Sequence, residues 1–288
     1  MAICDINGNV IATEGNTSSV FSVVDYATFT DGAGNDARQA VLTYQGKRLY
    51  PKNYPEQRID FIRDYGGGVM IALGDSYTAM GASYFTAFAK KHGLVCDNRG
   101  VGSSTIAGTT DGEIGFQPFW NRLDNAIAQY QADGGYTIGE TAYTQENVKL
   151  IIFMGGANDW YTVDEEQGID RIGNPQSEDK GQLYGALKYI FHTMLSTFTN
   201  ADIVVILQPN NGKAAQYGMW LKEGVVREMA NWYGLPICDC CFDWFSPSNP
   251  NDLATYWQSD KLHMTDAGNT AIFNKLEKVV NNLQFTRN

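Results

Sequence analysis

The chain has 288 residues, enough for one large domain or for a domain with a small appendage. Its formal net charge of -11, with no local cluster of Lys and Arg to offset it, argues against a nucleic-acid partner. No run approaches the roughly 18 consecutive apolar residues of a membrane span, and "MAICDINGNV" lacks the basic start and apolar stretch of a secretion signal, so a globular protein without a membrane partner is expected.

Residues 1–65 are rich in Gly, Asn, Asp and Thr, with short β-prone pieces, and Asn7-Gly8 suits a tight hairpin turn. They read as a small β-rich appendage, set off by Gly66, Gly67 and Gly68 from a main domain over 66–288. From there apolar strand-like runs alternate with helical segments, the pattern of a parallel sheet with crossover helices. The expected strands are "GVMIALG" (68–74), "LVCDN" (94–98), "VKLIIFMG" (148–155), "DIVVILQP" (202–209) and "LPICDC" (235–240), all short and apolar as buried parallel strands should be. Helices are expected over 78–92, about 117–132, 180–198, 213–233 and 266–284. In the third of these Leu183, Leu187, Ile190, Met194 and Leu195 recur at helical spacing. The result is an α/β fold, a three-layer α/β/α sandwich on a five-stranded parallel sheet.

The cysteines, Cys4, Cys96, Cys238, Cys240 and Cys241, are odd in number and lack metal-ligand spacing. Period-two alternation puts Cys238 and Cys240 on one face of a strand and Cys241 on the other. Buried free thiols are expected, which points to a reducing, cytoplasmic compartment.

Ser76 follows the first strand of the α/β unit and precedes its first helix. Its hydroxyl therefore falls at the carboxyl edge of the sheet, where open α/β sheets bind ligands. It reads either as a turn residue that starts the helix or as a nucleophile favoured by the helix's amino end. The G-x-S-x-G elbow is excluded, because Thr78 stands where its second Gly belongs.

A serine hydroxyl needs a base to take its proton, and the chain holds only three histidines. His92 ends a helix, where a cationic side chain meets the last carbonyls. His192 lies within a helix and reads as a surface or satisfied interior histidine. His263 is three residues after Asp260 and just before a helix that Thr265 can cap, with Asp266 in its first turn. That spacing lets the Asp260 carboxylate meet one imidazole nitrogen while the other faces Ser76, or else braces the loop alone. The Asn158 side chain and the amides of Gly102 or Ser103, at the ends of two further strands, are turn formers or oxyanion donors. Asp75 and Asp159 read as carboxylates bracing loops, not metal ligands. No metal or organic cofactor is required.

These residues resemble the SGNH hydrolases, also called the GDSL esterase and lipase family, over about 69–284. "GDSY" is similar to the first block, "NRGVGSST" to the second, "GAND" to the third and "DKLH" to the fifth. The resemblance implies a flavodoxin-like sheet and a serine esterase with Ser76, Asp260 and His263 as catalytic residues. It further implies an oxyanion hole formed by Ser76, Asn158 and a second-block amide. The family's usual glycine aligns with Ser103, while Gly102 precedes it, and Gly102 is preferred here with Ser103 as the alternative.

The segment 160–181 follows Asn158 directly and is long enough for a lid or binding element. Trp160 and Tyr161 begin it, and Tyr256 and Trp257 precede Asp260, so two aromatic pairs are expected to flank the pocket. Aromatic walls suit the C–H faces of sugars, and acetylated carbohydrate is the expected substrate. A general short-chain carboxylesterase or lipase is the next reading. The other is a non-catalytic glycan-binding or adhesion module of a surface or phage-tail assembly.

Overall fold

A computed structural model describes residues 62–159, 171–212, 219–242 and 244–283 in full, with the backbone of five earlier strands. The chain divides into two compact units, Met1–Phe61 and Ile62–Asn288. In the first, β1 (Ile3–Cys4) pairs antiparallel with β2 (Val10–Ala12), on either side of Asn7-Gly8. A three-stranded antiparallel sheet follows, with β3 (Phe21–Thr30), β4 (Asp36–Tyr44) and β5 (Lys47–Leu49) in that order.

The second unit starts ahead of the Gly66-Gly67-Gly68 run, because Arg63 and Tyr65 belong to it. The Arg63 amide donates to Asn281 Oδ1 (2.9 Å), its guanidinium donates to the Leu283 carbonyl (2.7 Å) and pairs with Asp202 (2.6 Å), and Tyr65 Oη donates to Asp202 Oδ2 (2.9 Å).

Five parallel strands form the central sheet of this unit: β6 (Val69–Gly74), β7 (Val95–Gly100), β10 (Val148–Met154), β11 (Asp202–Leu207) and β12 (Ile237–Asp239). A small antiparallel hairpin of β8 (Tyr136–Ile138) and β9 (Thr141–Tyr143) lies outside the sheet. The sheet order is β12-β11-β10-β6-β7. The chain starts in the middle, steps to one edge, then crosses back, so the strand order reverses between β6 and β10. That reversal leaves a crevice at the carboxyl ends of those two strands.

Seven helices carry the connections among the described residues: α1 (Ser76–Met80), α2 (Ala82–Lys91), α3 (Phe119–Gln131), α4 (Leu183–Thr197), α5 (Met219–Trp232), α6 (Pro250–Tyr256) and α7 (Asp266–Asn281). Strand alternation divides the core into two faces. Ile71, Leu73, Ile151, Phe153, Val205 and Leu207 pack under α3, α4 and α5 through Leu123, Leu187 and Val226. Met70, Ala72, Leu150, Ile152, Val204 and Ile206 pack under α2 and α7 through Phe85, Phe88, Ile272 and Leu276. Cys238 and Cys240 lie on the second face and Cys241 on the first, all buried free thiols.

The helix expected over 78–92 starts earlier and is broken at Gly81, whose amide caps α1 by donating to the Tyr77 carbonyl (3.0 Å). His92 ends α2, but not as a cation. It is fully buried, its Nδ1 lies 2.6 Å from the Arg63 carbonyl, and burial lowers its pKa below the ordinary histidine value. A neutral imidazole donating from Nδ1 fits that pocket. His192 is exposed.

Candidate active site

Asp75, Ser76 and Tyr77 leave the end of β6 as the start of α1. Asp75 is the N-cap, its Oδ1 accepting from the Tyr77 amide (3.0 Å), and Ser76 is the first helical residue, half-exposed at the crevice. Across from it lies the loop after α6. An antiparallel bridge between Trp257 and Met264 closes this loop, with the Gln258 amide donating to the His263 carbonyl (2.8 Å). Within it Asp260 Oδ1 accepts from the amides of Leu262 (2.9 Å) and His263 (3.0 Å). This local turn chemistry explains the three-residue spacing: one carboxylate oxygen holds the loop and the other is free for the ring.

Asp260 Oδ2 lies 2.6 Å from His263 Nδ1, and His263 Nε2 lies 3.0 Å from Ser76 Oγ. With Nδ1 donating to the carboxylate, Nε2 presents its lone pair to the serine hydroxyl. Burial works against the Asp260 charge, but the two amides and the imidazole outweigh it and hold the carboxyl below the ordinary aspartate value. Tyr77 joins the two halves, its Oη donating to the Leu262 carbonyl (2.5 Å) and its ring centroid 5.8 Å from that of His263.

The ends of β7 and β10 meet at the same point. Asn158 Nδ2 donates to the Ser104 carbonyl (3.0 Å), which uses one of its two N–H groups and leaves the other available. Ser104 Oγ donates to the Val101 carbonyl (2.7 Å), so the turn from Val101 to Ser104 is closed on itself. Gly102 and Ser103 are both exposed at its tip, and Ser103 has φ of +63°, a left-handed conformation uncommon outside glycine. Asn98 Oδ1 accepts from the Gly100 amide (2.8 Å), and its Nδ2 donates to the Thr78 carbonyl in α1 (3.0 Å).

The carboxylates expected to brace loops do so. Asp159 is fully buried and accepts from the amides of Ile106 (2.9 Å) and Ala107 (3.0 Å). Burial raises its pKa to about 7 against those bonds, and raises that of Asp75 to about 6. Two fully buried charged residues of α5, Lys222 and Glu223, stand beneath them. Burial lowers the Lys222 pKa and raises that of Glu223 well above the ordinary value. Sequence reading missed these two, and also Tyr77, Asn98, Arg122 and Gln208. The Arg122 guanidinium donates to the Gly74 carbonyl (2.9 Å), Ser104 Oγ (3.0 Å) and the Arg99 carbonyl. Tyr77 and Asn98 lie inside the blocks "GDSY" and "NRGVGSST", which are the signal that could have found them, whereas no local signal marks Arg122, Lys222 and Glu223, since a charged residue in a helix ordinarily faces water.

The aromatic pairs fare differently. Trp257 is only 3% exposed and packs with Met264, Ile272 and Leu276, so it belongs to the core and has no free face for a substrate. Bridge pairing with Met264 turns its side chain inward. Tyr256 is half-buried and stacks on Phe245 at 3.8 Å between centroids, with Trp244 5.4 Å beyond. Trp160 and Tyr161 lie outside the described residues.

The model of the GDSL-like Lipase/Acylhydrolase family matches residues 72–271, more than half of the chain. The chain belongs to this GDSL-like family. It is accordingly a carboxylic ester hydrolase. Solved structures similar to it include a protein from Lactobacillus plantarum at 19% identity and a TM-score of 0.55, covering 76% of this chain and 98% of the other. Another is described as a GDSL-like lipase from Bacteroides uniformis, at 15% identity and a TM-score of 0.51, covering 76% and 98% respectively. At these identities the likeness shows the GDSL-like fold. No curated protein matches the sequence. Among the described residues no helix is long and apolar enough to cross a membrane.

Proposed function

We propose that the protein is a serine esterase that removes short acyl groups, acetyl above all, from carbohydrate esters. The observation that carries this reading is the unbroken chain of hydrogen bonds from Asp260 through His263 to Ser76, beside the Asn158 side chain. In the proposed reaction Ser76 Oγ attacks the ester carbonyl carbon as its proton passes to His263 Nε2. The Ser76 amide, a second-block amide and the free N–H of Asn158 hold the oxyanion. The left-handed backbone at Ser103 supports its amide over that of Gly102 as the second donor, because such strain in a non-glycine residue gathers at functional sites. The imidazolium gives its proton to the departing alcohol. Water, losing a proton to His263, then attacks the acyl-serine, and as the bond to Oγ breaks and the acid leaves, His263 returns that proton to Ser76 Oγ.

Support for the sugar is the aromatic group of Tyr256, Phe245 and Trp244 beside the Asp260 loop. The burial of Trp257 removes half of one expected wall and favours, as second reading, a short-chain esterase without sugar preference. Hydrolysis of p-nitrophenyl acetate, longer p-nitrophenyl esters and acetylated saccharides separates the two. Ser76→Ala is expected to abolish turnover of all of them, and Asn158→Ala to lower kcat by about 10²- to 10³-fold without loss of folding. Preference for long acyl chains over acetylated saccharides would overturn the sugar reading, and activity surviving in Ser76→Ala would overturn the serine mechanism.

A further inference from the structure

Gln208 follows the end of β11, with β10 lying between that strand and β6. Its fully buried side chain crosses the end of β10 and joins two turns. Nε2 donates to Asp75 Oδ2 (2.8 Å), and Oε1 accepts from the Ala157 amide (2.7 Å). Asp75 directly precedes Ser76, and its other oxygen caps α1. Ala157 directly precedes Asn158. Lys222 Nζ donates to the Ala157 carbonyl (3.1 Å), so both polar groups of that residue are held. The Gln208 amide in turn donates to Glu223 Oε2 (3.0 Å). Gly156, with φ of +135°, makes room for this arrangement, since a Cβ there would lie 2.6 Å from Glu223 Oε1.

A parallel sheet offers no ladder bond beyond its last paired residues, so the turns after β6 and β10 are aligned by whatever joins them past the strand ends. An amide side chain suits the task, because one end must donate to a carboxylate and the other accept from a backbone N–H. We propose that Gln208, with Lys222 behind it, is a positioning residue that sets the placement of the Asn158 oxyanion donor relative to Ser76. This rests on the serine-esterase reading above. Gln208 touches no reacting atom. Its effect is geometric: donors must lie at hydrogen-bond distance from where the oxyanion forms, and small misplacement costs rate.

The test is a double-mutant cycle on p-nitrophenyl acetate hydrolysis, with thermal unfolding of every variant. Gln208→Ala is expected to lower kcat by about 10- to 100-fold with KM within about twofold. In the Asn158→Ala background the same substitution should cost less than about threefold, because the donor it places is already gone. Lys222→Met, which removes the hold on the Ala157 carbonyl together with the buried positive charge near Asp159 and Glu223, should show the same non-additivity with a smaller loss, and it carries the test if Gln208→Ala does not fold. An equal loss in both backgrounds, or a raised KM at unchanged kcat, would overturn the proposal while leaving the esterase intact. Wild-type activity that survives Ser76→Ala would overturn the esterase reading and this inference with it.

Discussion

The acidic residues beneath the crevice divide by environment. Asp260 is exposed and hydrogen-bonded in its charged form, whereas Asp75, Asp159 and Glu223 are fully buried. Burial raises their folded pKa values, to about 6 for Asp75 and about 7 for Asp159, and well above the ordinary value for Glu223. The folded protein therefore keeps protons that the unfolded chain releases above about pH 4. Their contribution to stability is fullest near that pH and is lost as pH rises toward 8, whereas buried His92, with its lowered pKa, acts in the opposite sense. Asp260, with its lowered pKa, acts in the opposite sense and only below about pH 4. Glu223→Gln is close in shape to the protonated acid and keeps an oxygen to accept from the Gln208 amide. It is expected to leave Tm at pH 5 within about 4 °C of wild type and to flatten the fall between pH 5 and pH 8. Thermal melts across that range check this, and an unchanged slope would mean that Glu223 is ionised in the folded state.

At the level of elements, the position of Ser76 depends on how closely β7 approaches α1. A Cβ on Gly100 would meet backbone atoms of the helix, the Thr78 carbonyl carbon at 2.7 Å and Ala79 Cα at 2.8 Å, as well as the Ala79 amide. The obstacle is main chain and cannot rotate away. Gly100→Ala is expected to destabilise by about 1–3 kcal/mol through overpacking. Because the displaced element is α1, it should also lower turnover. A Cβ on Gly102 would meet no heavy atom within 4 Å, and Gly102→Ala should stay within about 0.5 kcal/mol of wild type. Urea unfolding of the two variants checks the contrast. The hairpin β8–β9 and the short helix α6 have no place among the elements expected from the sequence. Both are too short to show a periodic apolar pattern: α6 contains one Leu and one Tyr, and none of its residues is buried.

For the molecule as a whole, the seam at Ile62 decides what can be removed. A chain beginning at Ile62 keeps the Arg63 bonds to Asn281, Leu283 and Asp202, and the Tyr65 bond to Asp202. A chain beginning at Gly66 loses them. It also strips the only hydrogen-bond partner described for the buried His92 ring, whose Nε2 already has none. We propose that residues 62–288 fold and hydrolyse esters without the first unit. The shorter 66–288 chain should be less stable by at least about 2 kcal/mol, from buried polar groups left unpaired. Melting temperatures of the two truncations measure the difference, and equal values would put the boundary at the glycine run after all.

What the sequence determined by itself is mostly local. Five short runs become five parallel strands, and the three central ones, β6, β10 and β11, are buried along nearly their whole length, so a continuous apolar run carries its own signature. Asp260 and His263 sit three residues apart and meet through bonds within their own loop, so their pairing is legible from spacing. Cys238 and Cys240 share one face and Cys241 takes the other, as period-two alternation predicts, although β12 itself ends at Asp239. Tertiary structure decided what depends on residues far apart in the chain. Trp257 looks like a pocket wall beside Asp260, yet bridge pairing with Met264 turns it into the core. Lys222 and Glu223 look like a solvated helix face, yet the crossover from β11 lays that face against the ends of β6 and β10. Gln208 follows a strand as any polar residue might, and only the strand order puts one end of its amide on Asp75 and the other on Ala157. The physical reason is range. Pleat, helical period and turn chemistry act over a few residues, whereas the partner of a buried polar group is chosen by packing and by the cost of leaving it unpaired.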